Sequence, residues 1–174
     1  GTADGTAVIH SGDGEATQTT LMVESPVTGV SFSSDGGRIL TTEDGGPARL
    51  WDAATGAELG SFGDAPSAAS FSPDGALVLT VEPGGARVWQ VEDGELVASL
   101  DQPDAVLEAS FGAGGDLVAT VGTGSVARVF DPRTGELYFV RSSPAFEGWR
   151  ILVSRCTEQG WAAAQPPVFA GDGV

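Results

Sequence analysis

The chain carries a single histidine, His10, and a single cysteine, Cys156. A general base, a catalytic triad or an imidazole-based metal cluster therefore has one possible member. Cys156 has Arg155 beside it but no histidine or second cysteine nearby, and a thiol needs such neighbours to become a reactive thiolate. It reads as a structural or incidental thiol. Gly122-Thr123-Gly124-Ser125-Val126-Ala127 matches the dinucleotide fingerprint GxGxxA. That fingerprint works by seating a pyrophosphate on the N-terminus of a succeeding helix. Here the glycines lead into ARVFD and a Thr-Gly turn, so they are hairpin glycines. Acidic turns at Asp13–Glu15, Asp35-Gly36, Asp74-Gly75 and Asp93–Glu95 offer oxygen ligands, yet none alternates them as a twelve-residue calcium loop does. Carboxylates are plentiful enough for a glycosidase-type pair, whose separation a sequence does not give. Arg49, Arg87 and Arg128 each stand two residues before an aromatic, on the same face of a strand by its period of two. They read as packing residues whose stems lie on the sheet and whose heads reach a nearby carboxylate. The rival reading is a basic stripe for an acidic partner.

The elements that would position these residues repeat. Phe32, Phe71 and Phe111 end the apolar runs of GVSFSSDG, AASFSPDG and EASFGAGG, 39 and 40 residues apart. Second strands RILTT, ALVLTV and DLVATV come next, then turns EDGG, EPGG and GTGS, then third strands ARLWD, ARVWQ and ARVFD. Trp51, Trp89 and Phe130 thus share one position, 38 and 41 residues apart. Thr55-Gly56, Asp93-Gly94 and Thr134-Gly135 turn into fourth strands AELGSF, GELVASL and GELYFV. The runs are short, apolar and bounded by Asp/Gly/Ser clusters, which is strand and hairpin chemistry. The ends fit as halves. His10 lies 41 residues before Trp51, so residues 1–24 align with the second half of a repeat. GWRILVS and WAAAQ, with a longer turn through Cys156 to Gly160, align with a first half. The expected organisation is a half repeat at 1–24, repeats at about 25–62, 63–101 and 102–141, and a half repeat at 142–174.

On these residues the chain resembles the WD-repeat family of β-propellers, in its degenerate bacterial form. The resemblance rests on the SFSxDG first hairpin, the D-G-G-P-A-R-L-W-D third strand and the forty-residue period, and covers about 25–140. It implies an all-β fold: a propeller of four-stranded antiparallel blades, about four blade equivalents, forming a closed four-bladed ring or part of a larger one. Phe32, Phe71 and Phe111 would then fill the space between adjacent sheets, and His10 would be a blade-packing residue. The Trp-Asp dipeptide is intact only at Trp51-Asp52, and the family's Gly-His dipeptide is missing from every copy. Of the family's hydrogen-bond network, Asp44 and Trp51 remain, while Pro83 and Thr123 replace the Asp in later copies.

Composition narrows the partners. The 174 residues hold 8 basic and 24 acidic side chains, a formal charge of −16, and such a field repels phosphate backbones. All eight basic residues are Arg and Asn is absent, the mark of a GC-rich bacterial genome, and no N-glycosylation site exists without Asn. No apolar run approaches the length of a membrane span and no signal peptide is visible. Gly1 stands where Met would start a chain, so the sequence is expected to begin partway through a longer protein. The expectation is a cytoplasmic, non-catalytic scaffold or regulatory domain, with no metal, cofactor, nucleic-acid or membrane partner. It would bind a protein partner or other domains of its own longer chain, through loops such as Gly63–Ser67 and Gln102–Ala105. Alternatives are a small propeller hydrolase or lyase with a central metal or carboxylate site, and a self-assembly unit that builds a larger ring as a homo-oligomer.

Overall fold

A computed structural model of the chain describes residues 6–9, 19–23, 25–124, 127–138, 156–157 and 160–161. The described residues are all-β. Three four-stranded antiparallel sheets succeed one another along the chain. The first is β3 (Val27–Phe32), β4 (Arg38–Glu43), β5 (Ala48–Asp52) and β6 (Glu58–Phe62). The second is β7 (Ala68–Phe71), β8 (Leu77–Glu82), β9 (Gly85–Gln90) and β10 (Leu96–Leu100). The third is β11 (Val106–Phe111), β12 (Val118–Gly122), β13 (Ala127–Phe130) and β14 (Leu137–Tyr138). Each is a meander in which sequential strands are neighbours. Two two-stranded sheets flank them: β1 (Thr6–Ile9) with β2 (Thr19–Met22), and β15 (Cys156–Thr157) with β16 (Gly160–Trp161). Cys156 pairs with Trp161 and Thr157 with Gly160, so Cys156 and Gly160, expected in a turn, lie in strands.

Turn chemistry fixes the hairpins. In the first turn of two sheets a serine hydroxyl donates to the aspartate two residues on, Ser33 to Asp35 at 2.6 Å and Ser72 to Asp74 at 2.5 Å. The amides of Arg38 and Leu77 donate back to the same hydroxyls at 2.9 Å. In the third turn Gly56, Gly94 and Gly135 have φ of 72°, 76° and 71°, a left-handed geometry that side chains resist. The Asp of Trp51-Asp52 belongs to that turn: its Oδ1 accepts from the amides of Ala54 and Thr55 and from the Thr55 hydroxyl.

The three sheets are in register with one another. Ile39 opposes Trp51, Val78 opposes Trp89 and Val118 opposes Phe130. We call the face bearing these aromatics the front and the opposite one the back. The back of the first sheet (Leu40, Ala48, Leu50, Phe62) packs on the front of the second (Phe71, Val78, Trp89), with Phe62 and Trp89 rings 6.4 Å apart. The back of the second (Leu77, Leu79, Val81, Ala86, Val88) packs on the front of the third (Phe111, Val118, Phe130). The front of the first meets β1–β2 through Ala7, Leu21 and Val23 around Ile39 and Trp51. The core is thus a series of interfaces between successive sheets, each closed by apolar side chains whose burial contributes roughly 25 cal/mol per Å².

Candidate functional site

Three clusters occupy one structural position. Strand pairing places Thr41 opposite Arg49, Thr80 opposite Arg87 and Thr120 opposite Arg128, two residues along from the aromatic pairs. All three threonines are fully buried. In the first sheet the Trp51 indole N–H donates to Thr41 Oγ1 at 2.9 Å. In the second, Trp89 Nε1 donates to Thr80 Oγ1 at 2.9 Å, and that hydroxyl donates to Glu82 Oε1 at 2.9 Å. Glu82 Oε2 also receives Arg87 Nη1. The result is a chain of donors, from Trp89 through Thr80 to the Glu82 carboxylate, that ends against the Arg87 guanidinium.

Glu43 and Glu82 are buried carboxylates, and such charges need partners. Both lie two residues beyond a buried threonine, which puts them on its face of the strand. Arg49 sits between two acids, with Nε 2.7 Å from Glu43 Oε1 and Nη1 3.1 Å from Glu58 Oε2. Burial pulls the Arg49 pKa down, but the fields of Glu43 and Glu58 outweigh it and hold it above the usual arginine value. This guanidinium stays charged.

The third sheet solves the same problem differently. Gly122 stands where Glu82 stands in the second sheet and carries no side chain. Arg128 instead takes its acid from the connection before β11, Nη2 lying 3.3 Å from Asp104 Oδ2. Phe130 has no N–H to give, and the Thr120 hydroxyl donates to Gln102 Oε1 at 2.7 Å. The room for this loop comes from the glycines. A Cβ on Gly122 would lie 2.6 Å from Gln102 Nε2, and one on Gly124 would lie 2.5 Å from Asp104 Oδ2. The GxG of the dinucleotide-like motif therefore makes way for the protein's own loop.

The remaining expected residues take varied places. Trp51 is buried beside β1–β2, while Phe71 and Phe111 are half-buried against the preceding sheets. Phe32 departs from the expectation for its position: it is 53% exposed. Its counterparts lean on a full sheet, whereas among the described residues the two strands β1–β2 pack on that front face. Asp44 also departs. It is exposed in the turn, and the acid that faces Thr41 and Trp51 from this strand end is its neighbour Glu43. The Thr-x-Glu spacing of 41–43 and 80–82 is the signal in the sequence for the buried acids. His10 lies outside the described residues, as do most of 1–24 and of 142–174. Among the described residues no group of three or more His, Cys, Asp or Glu side chains is arranged to hold a metal ion. No helix of the described residues is long and apolar enough to cross a membrane. Comparison with protein-family models finds no match, and comparison with curated proteins finds none.

Proposed function

We propose that this chain is a non-catalytic β-propeller module of the WD-repeat kind, acting as a protein-interaction scaffold or regulatory domain of a longer protein. The observation that carries the reading is the repeated Trp/Phe–Thr–Arg–acid cluster. Its polar groups are spent on one another between sheets: Thr41 and Thr80 hold indole N–H groups, and Glu43, Glu82 and Asp104 hold arginines. Groups committed this way support packing: the Glu43 and Glu82 side chains keep 1% and 3% of their surface exposed, and it is the Arg87 head that reaches solvent, at 39%. Stacked meanders in register, each covering the next, are the arrangement that blades of a propeller require. The remaining surface includes the connections and turns at the ends of the strands, with Asp44, Asp64, Pro83 and Thr123 exposed there. A surface of that kind fits a folded protein partner, and the charge of −16 favours one with basic residues over nucleic acid.

The test pairs a binding assay with a metal assay. The tagged protein and a variant carrying Asp44→Arg and Asp64→Arg are used to capture partners from their native lysate. The expected result is a partner retained by the parent and lost by a variant of unchanged melting temperature. Stoichiometric calcium, manganese or zinc in the purified protein, with hydrolase activity that tracks the metal, overturns the scaffold reading.

A further inference from the structure

The interface between the first and second sheets closes along its core and opens at its outer margin. The turns after the third strands show where. A Cβ on Gly135 would lie 3.0 Å from the Ser99 carbonyl oxygen of β10, and one on Gly56 would lie 3.4 Å from that of Thr20 on β2. These turns rest on the outermost strand of the sheet before them. A Cβ on Gly94, the equivalent turn residue of the second sheet, would meet nothing within 4 Å, and the same holds for Gly60 on the facing strand β6. Gly60 stands opposite Leu50 as Ala98 stands opposite Val88, so the first sheet's back has a glycine where the second has a buried alanine. The neighbours repeat the contrast. Val97 and Leu137 pack into the interface of the second and third sheets, whereas their equivalents Leu59 and Leu96 are 52% and 49% exposed. Phe130 is buried, and Trp89 in its place is half-buried. Arg38, exposed, takes the place on the first sheet's back that buried Leu77 takes on the second.

The outcome is a short apolar cleft, with Trp89 and Leu96 on one wall and Gly60 and Leu59 on the other. Its mouth is acidic. Glu92, Asp93 and Glu95 form the turn beside Leu96, all exposed, and among the described residues no arginine forms an ion pair with them. At the next interface Arg133 reaches back toward Asp74, 3.9 Å away. Glu92 and Asp35 hold the corresponding turn positions here, two acids where the other interface has opposite charges. Arg38, whose field reaches Asp35, offsets one of them. A cation seated at the mouth would supply what Arg133 supplies one interface further on. Among the described residues β6 pairs only with β5, so an extended segment entering the cleft also meets open backbone groups.

We propose that this cleft is a docking site for a short extended segment of a partner protein, which seats a leucine or phenylalanine between Gly60 and Trp89 and sets a lysine or arginine beside it toward Glu92 and Glu95. The proposal rests on the interaction-module reading above and gives it a second surface, at the opposite end of the strands from Asp44 and Asp64. The acidic rim selects the charge of the segment and the apolar walls select its anchor.

The probes are fluorescein-labelled heptapeptides with leucine or phenylalanine at the centre and lysine, alanine or glutamate on both sides. They are titrated by fluorescence anisotropy into the whole chain and its variants. Gly60→Leu fills the cleft from within, because its Cβ meets open space and its backbone is not left-handed. Glu92→Lys with Glu95→Lys reverses the rim, and Leu96→Ser removes one wall side chain from an exposed position. The parent is expected to bind lysine-flanked peptides about tenfold tighter than glutamate-flanked ones, and the double lysine variant to reverse that order. Gly60→Leu should melt no lower than the parent and weaken the lysine-flanked peptides about tenfold, and Leu96→Ser should weaken them about fivefold at an unchanged melting temperature. Equal binding by the parent and Gly60→Leu, no preference between flanks, or no binding of any peptide each overturn the cleft. So does a lowered melting temperature for Gly60→Leu, which would mean that the chain's own residues already fill the space. The module reading fails separately. Metal-tracking hydrolase activity overturns it whatever the peptides do, whereas a lysate partner retained by the parent, with no peptide bound, leaves it standing and overturns the cleft alone.

Discussion

Thr80→Val is the sharpest single probe of the repeated cluster. The substitution keeps the branched shape and removes one hydroxyl at a fully buried position. That hydroxyl receives the Trp89 indole N–H at 2.9 Å and donates to Glu82 Oε1 at 2.9 Å. Losing a hydrogen bond to a buried carboxylate costs about 1.5–3 kcal/mol, and stranding the indole donor adds up to about 1–3 kcal/mol. Trp89 is only half-buried, so water relieves part of the second cost and a total of about 2–4 kcal/mol is expected. For a cooperative unit of this size, with about 4 °C per kcal/mol, the melting temperature falls by about 8–16 °C. Thermal unfolding followed by circular dichroism, with urea titration beside it, measures both. Thr80→Ser is the control, because it keeps the hydroxyl and gives up a methyl group at about 1 kcal/mol. Equal losses for valine and serine, or a valine variant within about 2 °C of the parent, would refute the view that the hydroxyl links indole to acid.

Further outcomes rest on the same geometry. Arg49→Met leaves the Glu43 carboxylate buried without its partner and is expected to cost about 3 kcal/mol by urea titration. Arg133→Ala, which removes an exposed guanidinium 3.9 Å from Asp74, should cost less than about 0.5 kcal/mol. Gly63→Ala combines a φ of 73° with a Cβ 2.5 Å from Glu82 Oε1 and should cost about 2 kcal/mol or more. Gly45→Ala, with φ of 70° and open space, should cost about 1 kcal/mol, and equal effects would show that the contact with Glu82 is relieved cheaply. Acid sensitivity should trace to the turns. Hydroxyls of Ser33, Thr55 and Ser72, then the amides of Gly37, Thr55 and Ala76, hold Asp35, Asp52 and Asp74 below the ordinary value of 3.8. Their folded forms take up protons less readily than the unfolded chain, so their stabilisation is present above pH 3.8 and is lost as pH falls through the lowered folded values. Urea midpoints between about pH 6 and about pH 2.5 should fall most steeply below about 4, and the triple change to Asn should flatten that limb.

Much of the architecture is legible in the residues because the turns announce it. SFSSDGG and SFSPDG encode their own hairpins through Ser33–Asp35 and Ser72–Asp74, and local chemistry of that kind needs no tertiary context. The cluster is legible by halves. The spacing of Arg49, Arg87 and Arg128 from the aromatics puts them on one face, and each does reach a carboxylate. Which carboxylate depends on partners that strand pairing or a connection brings in, such as Glu58 across from Trp51 and Asp104 from the loop before β11. Asp44 stands out in the sequence because of its turn, while Glu43, one residue earlier, carries the parity that points inward. The exposure of Phe32 is hidden for a related reason. Its own hairpin is like the others, and only the sheet in front of it differs.

The migration of the third sheet's acid into a connection sets limits on recombination among the repeats. Sheets one and two carry Glu43 and Glu82 on the strand next to their arginines, so each of these hairpins brings a counter-charge with it. Hairpin β12–β13 does not, because Arg128 relies on Asp104 and Thr120 on Gln102, both of which precede β11. Grafting it behind another connection would import a buried guanidinium with no counter-charge. Grafting β8–β9 in its place would drive Glu82 into the space that Gln102 holds. The heritable unit in that repeat is the connection together with the sheet, and shuffling that cuts between them is expected to yield chains that fail to fold.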